Sequence, residues 1–335
     1  MANSQINIFS WHRFTTRNFT IAPELLGLSH ELLFKNGQFK IELPSADNLP
    51  KEMTDEAIVK SRNSIVTIKS YREENGRKIP IALLINSVDV QVCLNETITL
   101  PKEVLTSPPN QMDLLSRKQR TQLDQILDSH TEFANEAFDR WIRILRWKSN
   151  NDSIARPEIH GLESGWGNYL CNGATKQPFW RSPLILTMIM DRPITLPIWN
   201  DVETTFKLGQ GSPVYIDSMF DGIEQFKIGN LQQSVVYLAV ACEAFMRVRV
   251  MQNLPKGLTT AVMKYIDEAP IRQILENIFT DTLDAAQNNV FRRIKSRLHE
   301  LFDARNTILH SGHKEDLTSD DCQQYIEATK KLIAI

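Results

Sequence analysis

The sequence predicts an α+β protein: a β-rich N-terminal region with a long helix, then an all-α C-terminal helical bundle. Three observations predict it. Residues 7–105 are rich in β-branched residues and divided by turn signals. Residues 111–148 contain no Gly or Pro and space their apolar residues helically. From Pro213 onward, one amphipathic segment follows another to the C-terminus. At 335 residues the chain exceeds what one core usually carries. Three segments are expected: a β-rich domain over 1–105, a long helix plus an irregular segment packing on it over 106–210, and the bundle over 213–335.

Within the first segment, QFKIEL (38–43), SIVTIKSY (64–71), IPIALLI (79–85) and VDVQVCL (88–94) read as strands of an antiparallel sheet. Asn36-Gly37 lies between two apolar runs and predicts a hairpin turn, and Asn75-Gly76 predicts another. Ser107-Pro108-Pro109 ends the pattern. The apolar stripe of Leu114, Leu115, Leu123, Ile126, Leu127, Phe133, Ala137, Phe138, Trp141, Ile142 and Leu145 then predicts one long helix, or two broken near 128–130. Residues 149–211 read as irregular, with short strands near 184–190. Trp166, Trp180 and Trp199 still require somewhere to pack.

The run from Leu208 to Pro213, with two glycines, reads as a linker. Helices are expected over 214–226, 231–251, 259–267 and 269–281. A long one over 286–310 is stopped by Ser311-Gly312, and a last one starts at Ser319 as N-cap.

Composition narrows the function. Hydrophobic residues are 42% and charged residues 23%, as in ordinary globular proteins. The formal charge of −2 excludes the broad positive surface of a nucleic-acid coat protein, though not a local basic groove. No apolar run approaches the roughly 20 residues of a membrane span. The N-terminus lacks the apolar core of a secretory signal, so a cytoplasmic protein is expected. Cys93, Cys171, Cys242 and Cys322 are scattered and suit neither a disulfide scaffold nor a zinc site. No metal and no cofactor are expected. Without a secretory route, the Asn-x-Ser/Thr matches at Asn18, Asn95 and Asn151 carry no meaning.

Two polar residues break apolar helix faces. Continuing the stripe of Phe291, Ile294, Leu298, Leu301 and Phe302 brings Arg305 to the next inward position. A buried guanidinium needs a partner or a ligand. From Val235 to Met246 nearly every residue is apolar or small except Tyr237 and Glu243, so Glu243 is expected to be buried or half-buried. The two most simply satisfy each other, within one chain or across a dimer. Asn306 and His310 are four apart and share a face, while Arg305 and His310 lie roughly 140° apart and bracket a groove.

Asp221, Phe226, Gly229, Asn230, Ala241 and Glu243, followed by Arg305, Asn306, His310 and Gly312, form a pattern that resembles the HEPN domain. The resemblance covers only residues 213–335, and its Arg-x4-His element is similar to that family's ribonuclease signature. It implies a metal-independent RNA endonuclease in which two copies of the bundle pair. The ribose 2′-hydroxyl would attack its own phosphate and leave a 2′,3′-cyclic end. On this resemblance His310 does acid–base work, Arg305 stabilises the phosphorane, Asn306 orients by hydrogen bonding and Glu243 supports. The first two hundred residues would sense or restrain, by binding a regulatory partner or ligand, as in a defence or toxin-like effector. The same bundle also fits a catalytically silent nucleotide-binding or protein-interaction module.

Arg293 and Arg297, beside Arg292 and Lys295, are candidates to lead an RNA backbone toward the motif. The stretch 140–148 interleaves Trp with Arg and Lys, but its aromatic residues fall on the buried helix face. Gly209-x-Gly211 lacks the surroundings of a phosphate loop. His313 has no partners at metal-ligand spacing, and His12, His30, His130 and His160 stand alone.

Overall fold

The structure is a computed structural model. It describes residues 3–7, 9–45, 58–60, 65–74, 77–94, 96–101, 115–152, 154, 169–171, 178–181, 193–255 and 260–335. The chain divides into two compact units, Met1–Gly211 and Ser212–Ile335, and the division falls inside the glycine-containing linker.

The N-terminal unit is built on one long strand. β7 (Arg77–Cys93) runs through both IPIALLI and VDVQVCL, so the two strands expected there are one. Neither Asn86 nor Ser87 ends it, because β2 pairs on both sides of them, at Ser87 and again at Ile85, taking up the irregularity as a register shift of its own. On one edge β2 (Ser10–Ile21) pairs antiparallel from Ser10↔Val92 to Ile21↔Leu83, with a register shift between Thr15 and Phe19. On the other edge β6 (Ile65–Glu74) pairs with the first half of β7 and β4 (Gly37–Glu42) with its end. β3 (Ser29–Phe34) and β5 (Ile58–Lys60) complete a six-stranded sheet in the order β3-β4-β7-β6-β5. β1 (Asn3–Asn7) and β8 (Thr97–Pro101) form a separate two-stranded ribbon.

The β3–β4 hairpin turns at Lys35-Asn36, one residue earlier than the Asn36-Gly37 pair suggested. Phe34 pairs with Gly37, and Lys35 holds the positive φ of 49°. Gly37 serves packing instead. A Cβ there would lie 2.5 Å from Leu94 Cδ2 and 2.8 Å from the Phe133 ring.

One face of the sheet is covered by α1 (Arg117–Ser149), a single unbroken helix. Ser116 and Gln119 form a capping box at its start, and Asn150 closes it in the left-handed conformation. Phe133, Ala134, Ala137, Phe138, Trp141, Ile142 and Leu145 pack onto Phe14, Phe19, Phe39, Ile41 and the buried face of β7. Burying these side chains, at roughly 1.5–3 kcal/mol each, supplies most of the drive for this unit. Leu127, expected on the stripe, is 53% exposed, and Leu114 lies outside the described residues.

The segment read as irregular contains a helix the sequence reading missed, α2 (Leu196–Lys207). Leu196-Pro197 supplies a Pro in its first turn, and Trp199, Val202 and Phe206 enter the same core. A short ribbon of β9 (Tyr169–Cys171) and β10 (Pro178–Arg181) precedes it. The strands expected near 184–190, and Trp166, lie outside the described residues.

The C-terminal unit is helical, as the sequence predicts. It comprises α3 (Val214–Lys227), α4 (Leu231–Asn253), α5 (Thr260–Glu268), α6 (Ala285–Ser311) and α7 (Ser319–Ile333). The helix expected over 269–281 is instead a short helical turn, Ile271–Gln273, running into a π turn, Ile274–Ile278, and a 3-10 turn, Phe279–Thr282. The cap of α7 is Thr318 and not Ser319: Thr318 accepts from the Asp321 amide, and Asp321 answers it in a capping box. α4, α6 and α7 pack on one another around Leu238, Cys242, Met246, Phe291, Leu298, Leu301, Phe302 and Leu332. Gly222 of α3 lets Leu238 come close, since a Cβ would meet its Cγ at 2.9 Å. No helix among the described residues is long and apolar enough to cross a membrane.

Candidate active site

α4 is apolar almost all round, because it lies between α3, α6 and α7. Glu243 is the acidic side chain on it, and it is half-buried, with 24% of its side chain exposed. Its two oxygens are used differently. Oε1 accepts from Arg247 Nε at 3.1 Å and Nη2 at 2.8 Å, one turn on along the same helix. Oε2 faces Arg305 Nη2 of α6 at 3.5 Å. The Glu243–Arg305 pair expected from the sequence is therefore present within one chain, as a long contact.

Arg305 is not on the core face itself. That face runs through Phe291, Ile294, Leu298, Leu301, Phe302, Ala304 and Ile308, and Arg305 sits at its edge with 26% of its side chain exposed. The small Ala304 takes the inward place. Leu309 lies seven residues after buried Phe302 and within about 20° of it around the helix. It is nonetheless 58% exposed, so this face is uncovered at Leu309 although Ile308 beside it is buried.

Three arginines near α4 can be compared by where their donors go. Arg247 also donates to the carbonyls of Ile266 (3.2 Å) and Ala269 (2.9 Å), fastening the end of α5. Arg249 donates to the carbonyls of Ile335 (3.2 Å) and Thr282 (3.3 Å) and to Gln287 Oε1 (2.9 Å). Both use their terminal nitrogens to hold the chain together, although the buried Nε of Arg249, like that of Arg305, has no hydrogen-bond partner. Arg305 touches no carbonyl among these contacts. Its Nη1 donates to Asn306 Oδ1 at 3.0 Å, its Nη2 reaches Glu243 only at 3.5 Å, and its buried Nε has no hydrogen-bond partner. A guanidinium carries five N–H donors in a planar fork. Glu243 and Asn306 fix the plane of this one and leave donors unspent.

His310 stands on the last turn of α6, exposed to solvent. The helix ends just beyond it at Gly312, whose φ of 81° belongs to the left-handed region and whose amide returns to Ile308 O at 2.8 Å. Arg305, Asn306 and His310 thus occupy about one and a half turns of a well-capped helix. Asn306 is joined to Arg305 by its hydrogen bond, and His310 makes no hydrogen bond or ion pair with either.

Arg293 and Arg297 are not brought to this group. They line a shallow cleft of about 220 Å³ facing α7, together with Gln323, Gln324, Glu327 and Lys331. Arg297 is also engaged by Glu300. Their face of α6 is turned roughly 80–120° from that of Arg305.

The sequence reading missed Arg247 as the second guanidinium on Glu243. The signal was there, in a Glu–Arg pair at i,i+4 on a buried helix. Among the described residues, no group of three or more His, Cys, Asp or Glu side chains is placed to hold a metal ion. Compared with known proteins, the chain matches no family model, no curated protein and no solved structure.

Proposed function

We propose that the C-terminal unit is a metal-independent endoribonuclease of HEPN type. It acts as a pair of copies in the cytoplasm, as a defence or toxin-like effector, and residues 1–211 sense or restrain it. The observation that carries this reading is Arg305. An arginine that only braced the bundle would spend its donors as Arg247 and Arg249 do. Arg305 instead gives its terminal donors to no carbonyl, only to Asn306 and, at 3.5 Å, to Glu243, and it stands beside solvent. That is the state of a group waiting for an anion.

RNA supplies the anion. The 2′-hydroxyl oxygen attacks the adjacent phosphorus, the bond to the 5′ oxygen breaks, and a 2′,3′-cyclic phosphate is left. One imidazole takes the 2′ proton and another protonates the leaving 5′ oxygen. A single chain offers one His310, so the second comes from a second copy. Uncovered apolar side chains on the same two helices, Leu309 of α6 (58% exposed) and Val248 of α4 (40% exposed), support pairing. Arg305 stabilises charge on the phosphorane oxygens, and Asn306 holds its plane.

Cleavage of a mixed RNA pool in EDTA tests this. The wild-type chain should cut, and Arg305→Ala and His310→Ala should each lose about 10²–10⁴ of the rate. If the full chain is silent, residues 212–335 alone separate a restrained nuclease from a silent interaction module.

A further inference from the structure

Four polar side chains that are far apart in sequence meet in the N-terminal unit. Ser10 and His12 lie two apart on β2 and so share the face that α1 covers. Ser10 Oγ is 2.7 Å from His12 Nε2 and 2.8 Å from Nδ1 of His130, which α1 projects onto the sheet. The other ring nitrogen of His130, Nε2, is 3.6 Å from Oε2 of Glu96, just before β8: an ion-pair separation just beyond hydrogen-bond reach, and neither atom has a hydrogen-bond partner. The His130 side chain is wholly buried, whereas Ser10 and His12 are half-exposed and Glu96 is 37% exposed.

This arrangement favours one placement of the protons. Glu96 is an acceptor only, so its charge favours the His130 proton on Nε2, which leaves the Nδ1 lone pair facing Ser10. The serine hydroxyl then donates to His130, and its own lone pair is free to accept from His12 Nε2–H. Burial and the neighbouring His130 push the His12 pKa down, which keeps its ring neutral. Nucleophile and carboxylate lie at the two ring nitrogens of the base, 2.8 and 3.6 Å away, with an additional donor on the reacting oxygen. A serine serving only to fill space would gain nothing from two imidazoles, each of which has polar atoms to satisfy beneath a helix.

We propose that Ser10 is the nucleophile of a second, acyl-transferring site, with His130 as its base and Glu96 as the positioning residue, acting on small carboxylic esters. The Ser10 oxygen bonds to the ester carbonyl carbon while its proton passes to His130 Nδ1. The bond to the alcohol oxygen breaks, and the alcohol leaves with that proton. Water then attacks the acyl-serine and gives one proton to His130; the bond from the acyl carbon to Ser10 breaks, the carboxylic acid is released, and that proton passes from His130 to the Ser10 oxygen. No oxidant or reductant is needed. This site is independent of the ribonuclease reading.

The test is covalent labelling of the full chain with a fluorophosphonate, which forms a P–O bond to an activated serine and expels fluoride. Mass spectrometry should find one adduct, on Ser10, absent from Ser10→Ala. His130→Gln should slow labelling by about 10²-fold or more. Because His130 is buried and that variant risks misfolding, Glu96→Gln provides the second arm at a half-exposed position. It should slow labelling several-fold and shift its pH profile, which a merely structural carboxylate would not do. A wild-type chain that stays unlabelled, an adduct that persists in Ser10→Ala, or a rate and pH profile unchanged in Glu96→Gln would each overturn the proposal.

Discussion

His30 makes the N-terminal unit sensitive to acid, and the size of the effect follows from its surroundings. The ring is fully buried in β3, stacked on Trp199 at 3.8 Å, and its Nδ1 accepts from Trp141 Nε1 at 3.0 Å. Burial pushes its pKa from 6.5 down to about 4; of the charged groups on α2, Glu203 opposes the shift and Lys207 adds to it. Between those two values the unfolded chain holds a proton on His30 that the folded chain does not. Stability is therefore complete above pH 6.5 and falls as the pH drops toward 4. At 1.36 kcal/mol per pH unit, the loss is about 2 kcal/mol by pH 5 and roughly 3 kcal/mol in all. The perturbation is His30→Phe, which keeps a ring against Trp199 but removes the titrating group. At pH 7.5 the variant should be weaker by about 1–3 kcal/mol, because Trp141 N–H loses its acceptor. Between pH 7.5 and 5 it should lose about 2 kcal/mol less than wild type. Urea unfolding followed by tryptophan fluorescence isolates this unit, since all six tryptophans lie before residue 212. Equal pH dependence in the two proteins would refute the reasoning.

Other outcomes are expected. Gly37→Ala should cost the N-terminal unit about 1–3 kcal/mol in the same fluorescence assay, because the new methyl runs into Leu94 and Phe133. Arg247→Ala should lower the helical unit's unfolding midpoint by circular dichroism, at a cost of about 1–3 kcal/mol, since it removes both donors from Glu243 Oε1 and leaves the Ile266 and Ala269 carbonyls without theirs. Arg305→Ala should shift the same midpoint by less than about 1 kcal/mol, as its contacts are few and its pair with Glu243 is long. Glu243→Gln should release both guanidinium groups. It should raise the amide hydrogen exchange of the α4 and α5 ends and lower RNA cleavage several-fold.

The fold was legible where local pattern and packing agree. The 3.6-residue spacing of Phe133, Phe138, Trp141 and Leu145 marks α1, and the greasy 235–246 segment marks the centre of the helical unit. It was less legible where long-range pairing overrides local signals. Asn86 and Ser87 read as a break, yet β2 carries β7 through them. Gly37 read as a turn glycine, although its glycine is required by the Phe133 ring from a helix almost a hundred residues away. α2 was hidden because Pro197 looks like a breaker, whereas at the start of a helix it is favourable. In the candidate site, the Glu243–Arg305 pair could be reasoned from two polar residues on apolar faces. The sharing of that carboxylate with Arg247 could be reached only by asking which oxygen each arginine uses. His12 and His130 carry no argument in the sequence, since only the fold brings them to Ser10.

The most direct measurement is the chemistry of the RNA ends left after incubation with the chain in EDTA. If Arg305 and His310 act as proposed, the upstream fragments end in 2′,3′-cyclic phosphate, and Arg305→Ala yields none. Fragments ending in 3′-hydroxyl, or cleavage undiminished in Arg305→Ala, would contradict it.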